Sequence, residues 1–242
     1  MRLLRVLRIL VLFPALLAGV AGWFAAPAFL HPIRRALTPD LIRKADAAFV
    51  HVGGRREDFD VRASDGALLR GWKVRAANPN GAWVLAFHGV GDNRIGVVNH
   101  SEILLRAGYD VVLMDSRRHG ESEGAIATYG WLERNDAHAI VDALVASEHP
   151  THIFALGESM GAGIALQSAA ADPRIEAVVA EAPFASLREA SYDYAGLRWS
   201  PLLGKTRLSV GCWCRAGNRS PDFPPPAFHP KRPSRNAHSR SS

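Results

Sequence analysis

The chain has 242 residues, of which 48% are hydrophobic and 21% are charged. This size and composition are typical of one globular domain with extensions, and they exclude a largely disordered or collagen-like protein. The net charge of +6 is uneven, because residues 1–44 and 205–242 are basic and residues 45–204 are acidic overall. Since the central part shows no basic face with interleaved aromatic residues, we expect no nucleic-acid partner.

An uncharged apolar run occupies residues 9–30 and follows three arginines. Its length suits a membrane-spanning helix, which needs about 20 apolar residues. A secretory signal has a shorter apolar region of about 7–15 residues. We therefore expect residues 1–35 to form a single-pass membrane anchor. Residues 26–28 (Ala-Pro-Ala) also fit a signal cleavage site, and cleavage there would give a secreted or periplasmic protein that begins at Phe29. Arginines flank the run on both sides, so its orientation stays open.

The rest of the chain alternates between predicted strands and helices. We interpret residues 36–55 as a connector and residues 56–204 as the folded core. Within the core we predict strands at 57–62, 68–75, 83–87, 111–114, 152–156 and 175–180, and helices at 97–107, 131–147 and 160–171. Continuous apolar runs such as WVLAF are typical of strands that are covered on both faces. The alternation predicts an α/β fold with a doubly wound, mostly parallel sheet.

A glycine-rich turn joins the strand predicted at 152–156 to the following helix. Its sequence is Gly-Glu-Ser-Met-Gly, from Gly157 to Gly161. A strand, G-x-S-x-G and a helix in this order form a nucleophile elbow, which holds the serine out from the edge of the sheet. The positions two before and two after the serine must be small, because the strand and the helix nearly touch there. We therefore predict that Ser159 is a nucleophile, with a simple tight turn as the alternative.

A second motif, His-Gly-Val-Gly-Asp at residues 88–92, follows the third predicted strand. A serine nucleophile needs two backbone N–H donors for the oxyanion that develops during acyl transfer. In this arrangement they come from Met160, the residue after the serine, and from the loop after the third strand, where we choose Val90. Gly89 would keep that loop tight. The glycines also resemble the start of a dinucleotide-binding motif, but Arg94 replaces its third glycine, so we expect no such cofactor.

These motifs resemble those of the α/β-hydrolase superfamily, and most of all its membrane-anchored, BEM46-like and S33-peptidase-like branch. The resemblance rests on residues 88–89, 115–124, 157–161 and 181–184, and it covers about residues 55–200. It implies a serine hydrolase that cleaves a small-molecule ester or amide through an acyl-enzyme, without a cofactor or a metal. The motifs are specific for the superfamily and carry little information about the substrate.

Asp115 and His119 follow the strand predicted at 111–114, where functional residues often lie. We favour a structural role for this loop, as the resemblance implies. In this interpretation Asp115 accepts hydrogen bonds from its own loop, and Arg117 and Arg118 are solvated.

The predicted triad is incomplete. In this fold an aspartate and then a histidine follow the serine, each after a further strand, so strand–helix units should follow residue 180. Residues 205–242 are instead rich in Pro, Arg and Ser, which indicates a disordered basic tail. Asp222 with His229 or His238 keeps the chain order, but nothing in the sequence places them at the sheet edge. We therefore identify no triad acid or base.

Two origins of this tail are open: a reading frame lost near residues 205–207, or a natural short variant. In either case we expect a hydrolase fold that is incomplete at the C-terminus. The alternative to an active hydrolase is a catalytically incomplete remnant that binds a ligand or a partner. Its ester turnover would be little above that of a Ser159→Ala variant.

Overall fold

The computed structural model of the chain describes residues 12–13, 16–17, 19–20, 29–187 and 190. Within these ranges we find no helix whose length and apolar content would let it cross a bilayer. Most of the predicted anchor and the whole predicted tail, residues 205–242, lie outside the described residues. Both therefore stay predictions.

Four α-helices and eight strands are described over their whole length, together with a 3₁₀ helix at Arg94–Val97. The helices are α1 (Pro39–His51), α2 (Val98–Arg106), α3 (Glu133–Glu148) and α4 (Met160–Ala171). The strands are β1 (Arg55–Asp58), β2 (Val61–Arg62), β3 (Leu68–Leu69), β4 (Gly71–Arg75), β5 (Ala82–Phe87), β6 (Asp110–Met114), β7 (His152–Glu158) and β8 (Ile175–Glu181). The predicted order of elements is confirmed, except that the strands expected at 57–62 and 68–75 are each divided in two.

Six strands form one sheet in the order β1-β4-β6-β5-β7-β8. The pairs β5–β6, β5–β7 and β7–β8 are parallel, whereas β1–β4 and β4–β6 are antiparallel. The predicted mostly parallel sheet is therefore confirmed. Because Phe87 is paired with Gly157 at the ends of β5 and β7, the loops that follow these two strands meet at the same edge.

Apolar side chains cover both faces of the central strands. One buried cluster lies between the sheet and helices α3 and α4, and it includes Leu85, Ile140 and Ile164. The other lies under α1 and α2, and it includes Phe49 and Leu105. Coverage on both faces explains why the central strands are continuous apolar runs.

The segment 36–55 is not the simple connector that we expected, because it contains α1. The side chain of Thr38 accepts a hydrogen bond from the N–H of Leu41 at 3.4 Å, and Pro39 is the first helical residue. Both features are typical of a helix start. Ala45 and Phe49 are buried against the sheet. This segment therefore contributes part of the hydrophobic core.

Candidate active site

Ser159 lies at the corner where β7 passes directly into α4. Its backbone has φ 52° and ψ −108°, a conformation that is rare and strained for a residue other than glycine. The corner is held by a hydrogen bond of 2.9 Å from the Ser159 N–H to the carbonyl of Glu181 on β8. The structure thus places Ser159 on a strained turn at the carboxyl edge of the parallel strands, the geometry expected of a nucleophile elbow.

Gly157 and Gly161 occupy positions where a side chain does not fit. A Cβ atom on Gly157 would lie 2.1 Å from the carbonyl oxygen of Gly161. A Cβ atom on Gly161 would lie 2.1 Å from the carbonyl oxygen of Phe87 and 2.8 Å from that of His88. Because these neighbours are backbone atoms, they cannot move aside as a flexible side chain would. The close approach of strand and helix therefore requires both glycines.

Residues 88–93 contain the predicted second oxyanion donor, Val90, and we call them the oxyanion loop. It lies next to the elbow, because a Cβ atom on Gly89 would be 3.9 Å from the Cβ of Ser159. The Gly89 carbonyl accepts two hydrogen bonds, one from the ring Nδ1 of His88 at 2.7 Å and one from the Asp92 N–H at 3.3 Å. In a trans peptide the C=O and N–H groups point in opposite directions. These two bonds therefore also fix the direction of the Val90 N–H.

His88 is held as a neutral imidazole. Its Nε2 accepts a hydrogen bond from the Ser116 N–H at 3.0 Å, so its Nδ1 must carry the proton that is donated to Gly89. The side chain is completely buried, and this burial lowers the pKa of His88 below its ordinary value. The ring therefore links the oxyanion loop to the backbone of the loop that follows β6, the strand beside β5.

Met160 is the first residue of α4, so its N–H cannot be satisfied within the helix. Among the residues that the structure describes, no backbone carbonyl accepts a hydrogen bond from the N–H of Val90 or of Met160. The positive end of the helix dipole lies at the same place and favours negative charge there. Within the described part of the chain, these two N–H groups, one in the oxyanion loop and one at the start of α4, are therefore left without a backbone acceptor.

Asp115 and His119 lie in the loop after β6. Asp115 is buried and accepts hydrogen bonds from the backbone N–H groups of Arg94 at 2.7 Å and Glu121 at 2.8 Å. His119 is also buried, and its Nδ1 lies 3.0 Å from the carbonyl oxygen of Arg117. Burial lowers the pKa of His119 to about 4. These contacts agree with a structural role for the loop.

Arg117 corrects one detail of that interpretation, because it is not solvated. Its guanidinium is buried and donates to both carboxylate oxygens of Asp136, at 2.7 and 2.6 Å. It also donates to Asp65 at 2.9 Å. A bidentate pair of this kind fixes geometry as well as charge, so Arg117 joins the loop to α3.

Within the described part of the chain, no imidazole accepts a hydrogen bond from the Ser159 hydroxyl. His100 contacts β8 instead, since its Nε2 lies 2.8 Å from a carboxylate oxygen of Glu181. The other nitrogen of this ring is buried and has no hydrogen-bond partner among the described residues. Asp222, His229 and His238 lie outside the described residues.

Comparison with known proteins connects this geometry to a family. The family model for serine aminopeptidases of the S33 type matches residues 78–238. The match includes both the elbow and the oxyanion loop, and it extends into the segment that we predicted to be a disordered tail.

Two curated relatives share the central part of the chain. The uncharacterised protein YqkD of Bacillus subtilis (strain 168) is 31% identical over 134 residues, which cover 54% of this chain and 44% of YqkD. The polyketide transferase ATR5 of Stachybotrys chlorohalonatus is 32% identical over 134 residues, which cover 53% of this chain and 44% of ATR5. The chain therefore spans less than half the length of each of these relatives.

Among solved structures, the esterase Pf2001 of Pyrococcus furiosus is similar. It superimposes with a TM-score of 0.59 and 25% sequence identity, covering 76% of this chain and 68% of the esterase. The similarity extends over most of the described fold.

Proposed function

We propose that this chain, which belongs to the S33 serine aminopeptidase family of α/β hydrolases, cleaves an ester or amide bond through an acyl-enzyme on Ser159. The observation that carries the proposal is the strained backbone of Ser159 at the β7–α4 corner, next to two N–H groups that have no backbone acceptor among the described residues. A strained backbone conformation of this kind persists only where the surrounding structure holds it, and such conformations concentrate at functional sites.

The proposed reaction has two halves. The Ser159 oxygen attacks the substrate carbonyl and gives its proton to a base, and the oxyanion that forms accepts hydrogen bonds from Val90 and Met160. Collapse of the intermediate releases the alcohol or amine, which takes the proton, and leaves an acyl-serine. Water then attacks the acyl-serine and releases the acid. The histidines to test as the base are His229 and His238, because both follow Ser159 and lie within the matched residues.

The test compares the full-length protein, in detergent, with its Ser159→Ala variant on p-nitrophenyl esters and on amino-acid p-nitroanilides. We expect turnover of at least one substrate class to fall to the uncatalysed rate in Ser159→Ala. His229→Ala and His238→Ala, measured in parallel, show which imidazole takes the proton. Turnover that is the same in Ser159→Ala and in the parent protein would reject the proposal.

A membrane location belongs to the same proposal. The uncharged run at residues 9–30, with arginines on both sides, supports a single-pass anchor of the kind found in the BEM46-like branch. The substrate would then be a small molecule that reaches the enzyme at a membrane surface. Cleavage after residue 28 is the alternative, with a periplasmic or secreted product.

One observation favours a second candidate function. Because no described imidazole accepts a hydrogen bond from Ser159, the second candidate is a hydrolase-like module that binds an acyl ligand or a protein partner without serine-dependent turnover. Without its base, an elbow serine retains only the effects of the oxyanion hole and of binding, about 10³–10⁴ over water. Ester turnover that depends on neither Ser159 nor any histidine would support this candidate.

A further inference from the structure

Residues 29–35, which we assigned to the membrane anchor, pack on the folded domain, and we call them the strap. The carbonyl of Phe29 accepts a hydrogen bond from the Tyr129 hydroxyl at 2.9 Å, and that of Leu30 accepts one from the Ala127 N–H at 2.9 Å. Arg34 donates to the carbonyl of Ser122 at 2.8 Å. These bonds fix the strap along the loop between β6 and α3.

The end of the strap contacts the oxyanion loop. The Arg35 carbonyl accepts a hydrogen bond of 3.2 Å from the side-chain amide of Asn93, and the Arg35 guanidinium lies 2.6 Å from a carboxylate oxygen of Asp92. Asn93 is completely buried, so its amide would lose its partner if the strap moved away. The Arg35–Asp92 pair is partly exposed and contributes less.

These contacts lead to the Val90 N–H through a short chain of bonds. The Asp92 N–H donates to the Gly89 carbonyl, which fixes the Gly89–Val90 peptide. The side chain of Asp92 also accepts a bond from the Asn93 N–H at 2.9 Å. The strap therefore holds the two residues whose position determines where the second oxyanion donor points.

From these contacts we infer that the strap positions the oxyanion loop, with Asn93 and Arg35 as its positioning residues. The segment between the apolar N-terminal run and the domain is then part of the support of the active site, and not a passive tether. This role is independent of membrane topology, because cleavage after residue 28 would leave the strap intact. The effect on catalysis rests on the proposed function, whereas the effect on the loop does not.

Asn93→Asp in the full-length protein is the sharpest variant. The new carboxylate can still accept the bond from the Ile95 N–H that Asn93 accepts at 3.0 Å, so the start of the 3₁₀ helix is kept. When ionised, it cannot donate to the Arg35 carbonyl, so the bond to the strap is lost, and its negative charge is buried beside that carbonyl oxygen. A second variant, Arg34→Gln with Arg35→Gln, removes the two exposed side-chain ties and leaves the buried loop residues unchanged.

The matched control is Arg43→Gln. Arg43 pairs with Asp40 at 2.9 Å on the exposed side of α1, so this variant also removes an arginine–aspartate pair, but away from the site. Amide hydrogen exchange is followed in peptides that cover residues 88–97, with peptides from β6 and β7 as the test that the fold is retained.

We expect exchange in residues 88–97 to rise by about tenfold in Asn93→Asp, as the loss of one buried hydrogen bond predicts. The double variant should show a smaller rise, and Arg43→Gln none. If Asn93→Asp also loses protection in β6 and β7, the double variant alone decides. Unchanged exchange in both strap variants would overturn the inference.

A fluorophosphonate that modifies Ser159 gives the catalytic readout. Asn93→Asp should lower the maximal rate of inactivation by about tenfold or more, and the double variant should lower it less. Both should leave the half-saturating probe concentration unchanged, because the oxyanion hole acts on the transition state. An increase in that concentration with an unchanged maximal rate would contradict a positioning role. If the parent protein is not labelled at all, the proposed function fails, and hydrogen exchange still decides on the strap.

Discussion

The tight corner between β7 and α4 requires that residue 161 has no side chain. A side chain at this position would lie 2.1 Å from the carbonyl oxygen of Phe87, so Gly161→Val forces the strand and the helix apart. We expect this variant to unfold more easily by about 1–3 kcal/mol. For a domain of this size that corresponds to a fall in Tm of about 2–4 °C per kcal/mol.

Ala170→Val is the control for this prediction. It places the same side chain, valine, in the same helix at an exposed position, so it should change the Tm much less. An unchanged Tm for Gly161→Val would mean that the tight corner is absent.

Because the His119 ring is buried, we expect the stability of the protein to depend on pH. The pKa of this ring is about 4 in the folded protein, below its ordinary value of 6.5, mainly because the ring is buried. Between these two values the unfolded chain binds more protons, so stability is lost as the pH falls from 6.5 to 4. Protonation of this ring lowers the free energy of unfolding by roughly 3 kcal/mol at low pH, and the full free energy is present only above pH 6.5.

Replacement of this ring tests the prediction. His119→Gln should give a free energy of unfolding that depends less on pH between 4 and 6.5, as measured by urea denaturation at several pH values. Part of the dependence of the free energy of unfolding on pH should remain, because burial also lowers the pKa of His88. The same slope in both proteins would show that His119 is not buried as a neutral ring.

The turn around Ser159 could be predicted from the sequence because its requirements are local. Glycines on both sides of the serine, between an apolar strand and a helix, leave few alternatives. The contacts that hold the loop of the second oxyanion donor could not be predicted from a local sequence pattern. They depend on Arg35, which lies far along the chain from Asn93 and Asp92, and no local pattern connects such residues.

At the scale of whole elements, the packing of α1 on the sheet can be tested directly. Phe49 is 1% exposed, and its ring packs edge-on against Trp72 with centroids 6.4 Å apart. Phe49→Ala should therefore destabilise the protein by about 3–5 kcal/mol, measured by chemical denaturation. Val50, the next residue of the same helix, is 72% exposed, so Val50→Ala should have almost no effect. Equal effects of the two variants would mean that α1 does not pack on the domain.

Helix α1 is not evident from the sequence pattern, because its apolar stripe is narrow and only Ala45 and Phe49 are buried. Its first turn does carry a recognisable start signal, a threonine followed by proline and aspartate, and that signal could have identified it. The buried strands were easier to predict, because coverage on both faces makes them continuously apolar. The division of the strand expected at 57–62 follows from pairing partners, since Asp58 pairs with β4 and Val61 with β3.

The position of the whole molecule relative to the membrane gives a further prediction. If residues 9–30 are an uncleaved anchor, the full-length protein stays in the membrane fraction after a carbonate wash. A variant that lacks residues 1–28 should be released and should keep the strap. Removal of residues 1–35 should also release the protein, but with a less protected oxyanion loop. A mature N-terminus at Phe29 would show a cleaved signal instead.

The central claim is that Ser159 is a nucleophile, and peptide mass spectrometry after treatment with a fluorophosphonate tests it most directly. The full-length protein, incubated with an excess of the probe, should gain a single adduct on the peptide that contains Ser159. Ser159→Ala should gain none, and prior unfolding should abolish labelling of the parent protein, because the reactivity depends on the elbow and the oxyanion loop. No adduct on the folded protein, or an adduct that persists in Ser159→Ala, would contradict this account.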